Sequence, residues 1–370
     1  MSQSNYPITQ LLDYQMMGRA LFHAARGRGR TSPNPMVGAV VVSPDGVVVG
    51  QGYTQPAGQA HAEVCALAEA GAAARGATLY STLEPCAHHG RTGPCCELVV
   101  EAGISRVVAS IQDPNPLVNG RGFQYLRDHG VVVDVGPGAE ASRALNRPFF
   151  TVMLEHRPFV ILKAATSLDG CIAEAPGRRT QLTSAPADRH AHAVRAEVDA
   201  IGVGINTLLV DDPLLTPRGP YRERPLTRVV FDRRLRTPPR ARVLSTRDAG
   251  PVIIVSTDEA AARAELRTPL EDAGAEIAVA RDGTFRAALA ELARRDVGSL
   301  LLEGGAEVVA SAWDEGLVDC VSLYVTPHVL GREGVPLLPG REGVSAALDD
   351  RVVQTLGPDV LIEGYVHRTR

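Results

Sequence analysis

At 370 residues, with 45% hydrophobic and 22% charged residues, the chain is long enough for two hydrophobic cores and predicts two globular domains. A net charge of −4, an isoelectric point near 6.2 and 4% aromatic residues give no basic, aromatic-studded surface for a phosphate backbone, which argues against a nucleic-acid partner and for small-molecule chemistry. Six cysteines are too few for a disulfide scaffold, MSQSNYPITQ is no leader, and the chain lacks a run of about 18 apolar residues, so it predicts a cytoplasmic protein without a membrane partner.

The helix-spaced pattern DYQMMGRALFHAA predicts a helix over 13–25 with Asp13 as its N-cap, ending in the Gly/Arg stretch that closes with Arg30. Residues 37–50 read as two β-branched strands joined by the tight-turn sequence Ser43-Pro44-Asp45-Gly46. Helices over 62–74, 95–102 and 123–128 then alternate with strands over 78–83, 106–111 and 131–135, a cadence that argues α/β layering. Residues 136–157 carry Pro, Gly and scattered charge without that cadence, and the domain junction is placed within 155–158. A second α/β cadence follows, with strands over 159–165, 200–204, 227–231, 252–256, 276–280, 299–303, 320–325 and 360–366.

Chemistry concentrates in the first half. His61-Ala62-Glu63 opens a helix, Glu84-Pro85-Cys86 closes a strand, and Cys95 begins another helix after eight intervening residues. One imidazole and two thiolates are three ligands suited to Zn2+, leaving the fourth tetrahedral position for water. Helix N-termini favour the thiolates that a metal needs. Glu63, two residues after His61, sits beside such a water without binding the metal and is the natural proton shuttle of a zinc deaminase. A structural zinc site is the alternative, with Cys96 as a fourth ligand, although adjacent thiols at a helix start diverge. His88 and His89, between the two thiols, are loop histidines suited to substrate contact. Cys65, Cys171 and Cys320 lie in apolar surroundings and read as core residues.

TLEPCAHHGRTGPCC, with TSPNPMVGAVV and HAE upstream and QDPNPLVNGRG downstream, resembles the bifunctional riboflavin-biosynthesis deaminase/reductase family, and the resemblance covers almost the whole chain. It implies a cytidine-deaminase-like three-layer domain over 1–156 and a dihydrofolate-reductase-like α/β domain over 157–370. The first would hydrolyse the 2-amino group of 2,5-diamino-6-ribosylamino-4(3H)-pyrimidinone 5′-phosphate, a pyrimidine ribotide, with release of ammonia. His61, Cys86 and Cys95 match its zinc ligands and Glu63 its proton shuttle; Asn34, His88 and Arg91 match positions around the pyrimidine and phosphate. An Asn amide can donate to and accept from a pyrimidine edge, and a guanidinium suits a phosphate.

Read alone, the second half offers a strand, a glycine turn and a helix at Leu302-Glu303-Gly304-Gly305-Ala306, a form that presents backbone N–H groups to phosphate, and polar residues including Lys163, Asp169 and Asp212. The strings LKAATSLDGCIA, VGINTLLVDDPLLTPR, FDRRLRTPP and LLEGGAEVVASAW resemble the family's reductase domain, which uses NADPH to deliver a hydride to the sugar C1 and so reduces the ribosyl chain to ribityl. The resemblance implies cofactor contacts at Ala165, Gln181, Thr207, Asp211, Arg233, Gly305, Ala306, Glu307, Val308, Val309, Ala310 and Ser311. It implies substrate contacts at Arg179, Arg195, Leu215, Arg218 and Glu303. The chain departs from the family at three places: Arg179 and Gln181 stand where a serine and a tryptophan are common, and Arg233 replaces a common serine, with the NADPH 2′-phosphate as its suggested contact. Two rival readings stay open at this point, a deaminase whose reductase-like domain is impaired and a nucleic-acid-editing deaminase; a homo-oligomer is compatible with any of the three.

Overall fold

The computed structural model describes residues 8–87, 93–219, 221–338, 340 and 347–366. Its contacts divide the chain into two compact units between Glu155 and His156.

In the first unit, α1 (Ile8–Ala25) precedes a hairpin of β1 (Gly38–Val42) and β2 (Val48–Tyr53). There follow α2 (Ala62–Ala70), β3 (Thr78–Ser81), α3 (Cys95–Glu101), β4 (Arg106–Ala109), α4 (Arg121–Asp128), β5 (Val132–Val135), α5 (Ala139–Leu145) and α6 (Arg147–Glu155). The strands form one sheet in the order β2-β1-β3-β4-β5, with β1 antiparallel to both neighbours and β3, β4 and β5 parallel. β1 is buried along its whole length because both sheet faces are covered. Val40 and Val42 cluster with Met17 and Ala20 of α1, while Ala39 and Val41 cluster with Ala62 and Ala66 of α2, Val99 of α3 and Leu126 of α4. The result is the expected three-layer α/β/α domain. α2 lies so close to β2 that a Cβ on Gly52 would come within 2.7 Å of the Ala62 carbonyl oxygen. This approach, open only to glycine, sets the first turn of α2 against the sheet.

Two expectations are corrected. α1 begins at Ile8, so Asp13 lies inside the helix and caps nothing. Its buried carboxylate accepts from Tyr80 Oη at 2.8 Å and from Arg106 Nη1 and Nη2 at 2.9 and 2.8 Å, tying α1 to β3 and β4. Residues 136–157 hold two helices, α5 and α6, each too short to display a clear apolar period. Asn146 separates them; its Oδ1 accepts from Met36 N at 2.7 Å and its Nδ2 donates to Met36 O at 2.9 Å, which pins the loop bearing Asn34.

The second unit runs β6 (Phe159–Thr166), β7 (Cys171–Ala173), α7 (Ala185–Glu197), β8 (Ala200–Gly204), α8 (Ile205–Asp211), β9 (Thr227–Phe231) and β10 (Val252–Ser256). It continues through α9 (Asp258–Ala261), α10 (Ala264–Asp272), β11 (Ala275–Val279), α11 (Phe285–Ala293), β12 (Ser299–Leu302), α12 (Ala306–Asp314), β13 (Cys320–Val325), β14 (Val335–Pro336), β15 (Leu348–Leu356) and β16 (Asp359–Val366). Nine strands form one sheet in the order β11-β10-β9-β8-β12-β6-β13-β16-β15, while β7 and β14 pair separately. The first seven are parallel, and β16 runs antiparallel to both of its neighbours, β13 and β15. Val160, Val229 and Ile253 belong to the core on one face, and Ile201, Val230 and Ile254 to the core on the other, as expected of a mostly parallel sheet covered by helices.

Candidate active sites

The first site is assembled by the ends of three elements. His61 precedes α2, Cys86 follows β3 through the Glu84-Pro85 segment, and Cys95 opens α3. The ligand atoms of His61, Cys86 and Cys95 lie within 4.8 Å of one another; His61 Nδ1 is 3.3 Å from Cys95 Sγ and 3.6 Å from Cys86 Sγ. Donation from Cys95, together with His61, outweighs burial and brings the Cys86 thiol down to about 4, while the same contact and burial push Cys95 up. This is a donor set of the size and softness that Zn2+ takes, with a fourth direction left to solvent or substrate. Cys96 turns away, its Sγ against Pro85 O at 3.1 Å, so it is no fourth ligand.

Glu63 is buried two residues beyond His61, its Oε1 accepting from Ser81 Oγ at 3.3 Å, and burial pushes its carboxyl above the ordinary range. A cavity of about 260 Å3 opens here, lined among others by Asn34, His61, Glu63, Cys86, Asp113 and Asn115. His88 and Arg91 lie outside the described residues.

Three contributors escaped the reading of the sequence. Asp113 and Asn115 line the cavity, and burial, with the nearby charges of Glu84, Cys86 and Glu63, raises the Asp113 carboxyl to about 7. Glu84 is a buried hub: Oε2 accepts from Asp113 N at 3.1 Å and Gly120 N at 2.9 Å, and Oε1 accepts from Gly122 N at 2.8 Å and Phe123 N at 3.3 Å. A carboxylate at the N-terminus of α4 satisfies donors that have no partner within the helix. It thereby fixes the loop carrying Asp113 and Asn115 against the Pro-Cys segment. The available signals were an acidic residue two before Cys86 and the Asx-rich QDPNPLVNG string.

In the second unit a cavity of about 400 Å3 lies at the carboxyl ends of β8, β9 and β10 and the N-termini of α8 and α12, where an open parallel sheet binds its ligands. Gly304 and Gly305 have φ of +113° and +90°, and a Cβ on Gly305 would stand 3.2 Å from Gly204 Cα. The turn is therefore a bare-backbone cradle leading into α12, suited to a phosphate. Asp211, at the far end of α8, does not line this cavity; its Oδ1 is buried without a hydrogen-bond partner, and burial raises its carboxyl despite the nearby charge of Arg179. The glycine cradle and the large cleft together fit NADPH.

The positions expected around that cofactor divide. Arg233, Gly305, Glu307, Val308 and Ser311 line the cavity, Ala306 starts α12, and Thr207 lies beside Gly304. Val309 and Ala310 are buried and do not line it. Arg233 donates through Nη2 to Gly283 O. Gln181 donates to Thr183 O and Asp188 Oδ2, Arg179 is exposed, and Ala165 is half-buried on β6. Arg195 and Glu303 meet in a two-point ion pair, Nε to Oε1 at 2.7 Å and Nη2 to Oε2 at 2.5 Å. Burial pushes the Glu303 carboxyl up, but Arg195, aided by Lys163 and His192, leaves it below the usual range. Lys163 Nζ stands 5.2 Å from the centre of the Tyr324 ring. Asp169 anchors loops instead, accepting from Leu330 N and Gly331 N, and Asp212 accepts from Arg242 N.

These two sites define a bifunctional enzyme, a metal-dependent deaminase joined to a dinucleotide-dependent reductase. Residues 158–362 match the family described as RibD C-terminal domain, and residues 12–111 match the cytidine and deoxycytidylate deaminase zinc-binding region. The riboflavin biosynthesis protein RibD of Aquifex aeolicus is 38% identical over 356 residues, 95% of this chain and 98% of the relative; that of Synechocystis is 40% identical, with 96% of each chain covered. Among solved structures, Acinetobacter baumannii RibD is 34% identical with a TM-score of 0.87, covering 97% of this chain and 99% of the other. The Thermotoga maritima diaminohydroxyphosphoribosylaminopyrimidine deaminase/5-amino-6-(5-phosphoribosylamino)uracil reductase is 32% identical with a TM-score of 0.84, covering 97% and 100%. The chain belongs to the RibD family of riboflavin biosynthesis proteins. It is a bifunctional riboflavin-biosynthesis enzyme with Zn2+ and NADPH as cofactors, and since its relatives span both domains the impaired-reductase and nucleic-acid-editing readings are not favoured.

Proposed function

We propose that the first domain deaminates 2,5-diamino-6-ribosylamino-4(3H)-pyrimidinone 5′-phosphate and that the second reduces the resulting 5-amino-6-(5-phosphoribosylamino)uracil to its ribityl form. The observation that carries the reading is the His61, Cys86 and Cys95 cluster sharing one cavity with buried Glu63 and the polar residues Asn34, Asp113 and Asn115. Zn2+, when bound, supplies an acidified water. Glu63, raised by burial, takes a proton from the attacking side and returns it to the departing amino nitrogen. Asn34 and Asn115 read the pyrimidine edge, and Asp113, able to hold a proton near neutrality, donates to a ring acceptor.

In the reductase domain NADPH, when bound, supplies the hydride. Gly305 and the start of α12 cradle its phosphates, and Arg218 takes the sugar phosphate of the substrate while Arg195, committed to Glu303 and Thr216 O, holds the loop that carries it. Six cysteines without a disulfide between them and a small-molecule substrate support a cytoplasmic enzyme acting without nucleic acid. Among the described residues no helix is long and apolar enough to cross a membrane. The test follows ammonia release and NADPH absorbance together on purified, zinc-loaded protein given the diaminopyrimidine ribotide. Both signals are expected; ammonia alone would remove the reductase assignment, and neither would remove the substrate assignment.

A further inference from the structure

We infer that His192, which no reading of the sequence singled out, is a positioning residue of the reductase that holds the backbone of Arg218 and leaves its guanidinium free to take the substrate phosphate. The inference rests on the assignment of Arg218 to that phosphate.

His192 and Arg195 lie three residues apart on α7, on one helical face, and both grip the loop after α8. Arg195 Nη1 donates to Thr216 O at 3.2 Å while its other nitrogens hold Glu303. His192 is buried; its Nδ1 is 3.0 Å from Arg218 N and its Nε2 is 3.1 Å from Arg218 Nε. Immediately before these two contacts Leu215 has φ +54°, a backbone region costly for a bulky side chain, with that side chain sunk in the core beside Ile201 and Leu208. A strained loop persists only where its surroundings over-determine it, and here the Leu215 side chain, Thr216 O and Arg218 N are each held.

The two contacts of His192 cannot both be hydrogen bonds. Burial, with Arg195 and Arg218 alongside, holds the ring below the usual imidazole range, so it is neutral near pH 7 and has one bare nitrogen. Both groups facing it, the Arg218 backbone N–H and Nε–H, are donors. The exposed guanidinium has water or an anion to turn to, whereas the backbone N–H of Arg218 is aimed at the buried His192 ring. Nδ1 therefore accepts from the backbone, Nε2 carries the proton, and an N–H facing an N–H pushes the guanidinium outward. Substrate phosphate meets an arginine already anchored at its backbone and uncommitted at its head, which lowers the ordering cost of binding.

The experiment measures kcat and KM for 5-amino-6-(5-phosphoribosylamino)uracil in His192→Leu, His192→Asn, His192→Gln and Arg218→Ala, with ammonia release as a control on each purified full-length chain. An asparagine Oδ1 replaces Nδ1, whereas a glutamine Oε1 replaces Nε2. His192→Leu is expected to raise KM about tenfold, because a loosened Arg218 gives up the worth of one charged hydrogen bond to the phosphate, with kcat within about twofold. His192→Asn restores most of that loss and His192→Gln does not, so the pair decides even if the leucine variant folds poorly. In His192→Leu/Arg218→Ala the KM should match that of Arg218→Ala, because the histidine acts only through the arginine. If Arg218→Ala leaves KM unchanged, the phosphate assignment itself fails. If Arg218→Ala raises KM but His192→Leu does not, or Gln rescues as well as Asn, the positioning role is overturned while the assignment stands.

Discussion

Glu63 is the residue on which the deaminase reading turns, because it is buried beside three metal-ligating atoms and is not itself one of them. Glu63→Gln preserves shape and removes the exchangeable proton. Zinc content measured by atomic absorption should be unchanged and deamination should fall by about 10²-fold or more, the usual worth of a general acid/base; near-normal turnover would remove Glu63 from the chemistry. Asp13 bears on stability alone. Burial pushes its carboxyl up, but Arg106 and Tyr80 outweigh this and leave it below its ordinary value of 3.8. A depressed carboxylate stabilises the fold fully above its unfolded pKa and loses that contribution as pH falls through the folded one. Asp13→Asn should therefore cost about 1–3 kcal/mol at pH 7 by denaturant melting, and the gap from the parent should close below pH 3.8. A gap that persists undiminished at lower pH would show that packing, not charge, accounts for the loss.

At the scale of elements, the N-terminal end of α2 positions both His61, its N-cap, and Glu63, and the height of the helix over β2 is set by glycine. A Cβ on Gly52 would meet Cys65 Cβ at 2.5 Å and Ala62 O at 2.7 Å, so Gly52→Ala must lift the first turn of α2. That turn aims His61 and Glu63 together. We expect weaker zinc retention against a chelator and a deamination rate reduced by more than about tenfold, since a displacement near 1 Å at a reacting centre costs about 10²-fold, with NADPH oxidation on the deaminated substrate untouched. Unaltered zinc retention would show that the helix accommodates the methyl group elsewhere. The same elements show what the sequence discloses and what it hides. The β-branched strands and the HxE and PC-x8-C spacing were legible because period and ligand chemistry are local. β15 was not, since this edge strand is exposed along most of its length and has no apolar alternation to betray it. Nor was Glu84, whose four backbone donors come from residues 113–123 and become neighbours only when α4 packs against the Pro-Cys segment. Asp13 looked like a cap because capping is a local rule, and its actual partners on β3 and β4 are more than sixty residues away.

At the scale of the whole molecule, the chain forms two compact units, and the described residues of each site come from one unit alone. Among the described residues, those of the deaminase site all lie before His156 and those of the reductase site all lie after it. Two defective chains should therefore complement each other. Glu63→Gln alone, given the diaminopyrimidine ribotide, should give neither ammonia nor NADPH oxidation, and Arg218→Ala alone should give ammonia with little NADPH oxidation at substrate levels below its raised KM. An equimolar mixture should recover NADPH oxidation, because uracil ribotide released by one chain diffuses to the intact reductase of the other. Recovery should follow a lag that lengthens as the mixture is diluted, since the intermediate must first accumulate in solution toward the KM of the second site, whereas the parent enzyme at the same dilution sets the lag for an intact pair of sites. A mixture that stays silent would mean that the intermediate does not reach a second chain, and the two sites would then have to act as a pair within one chain.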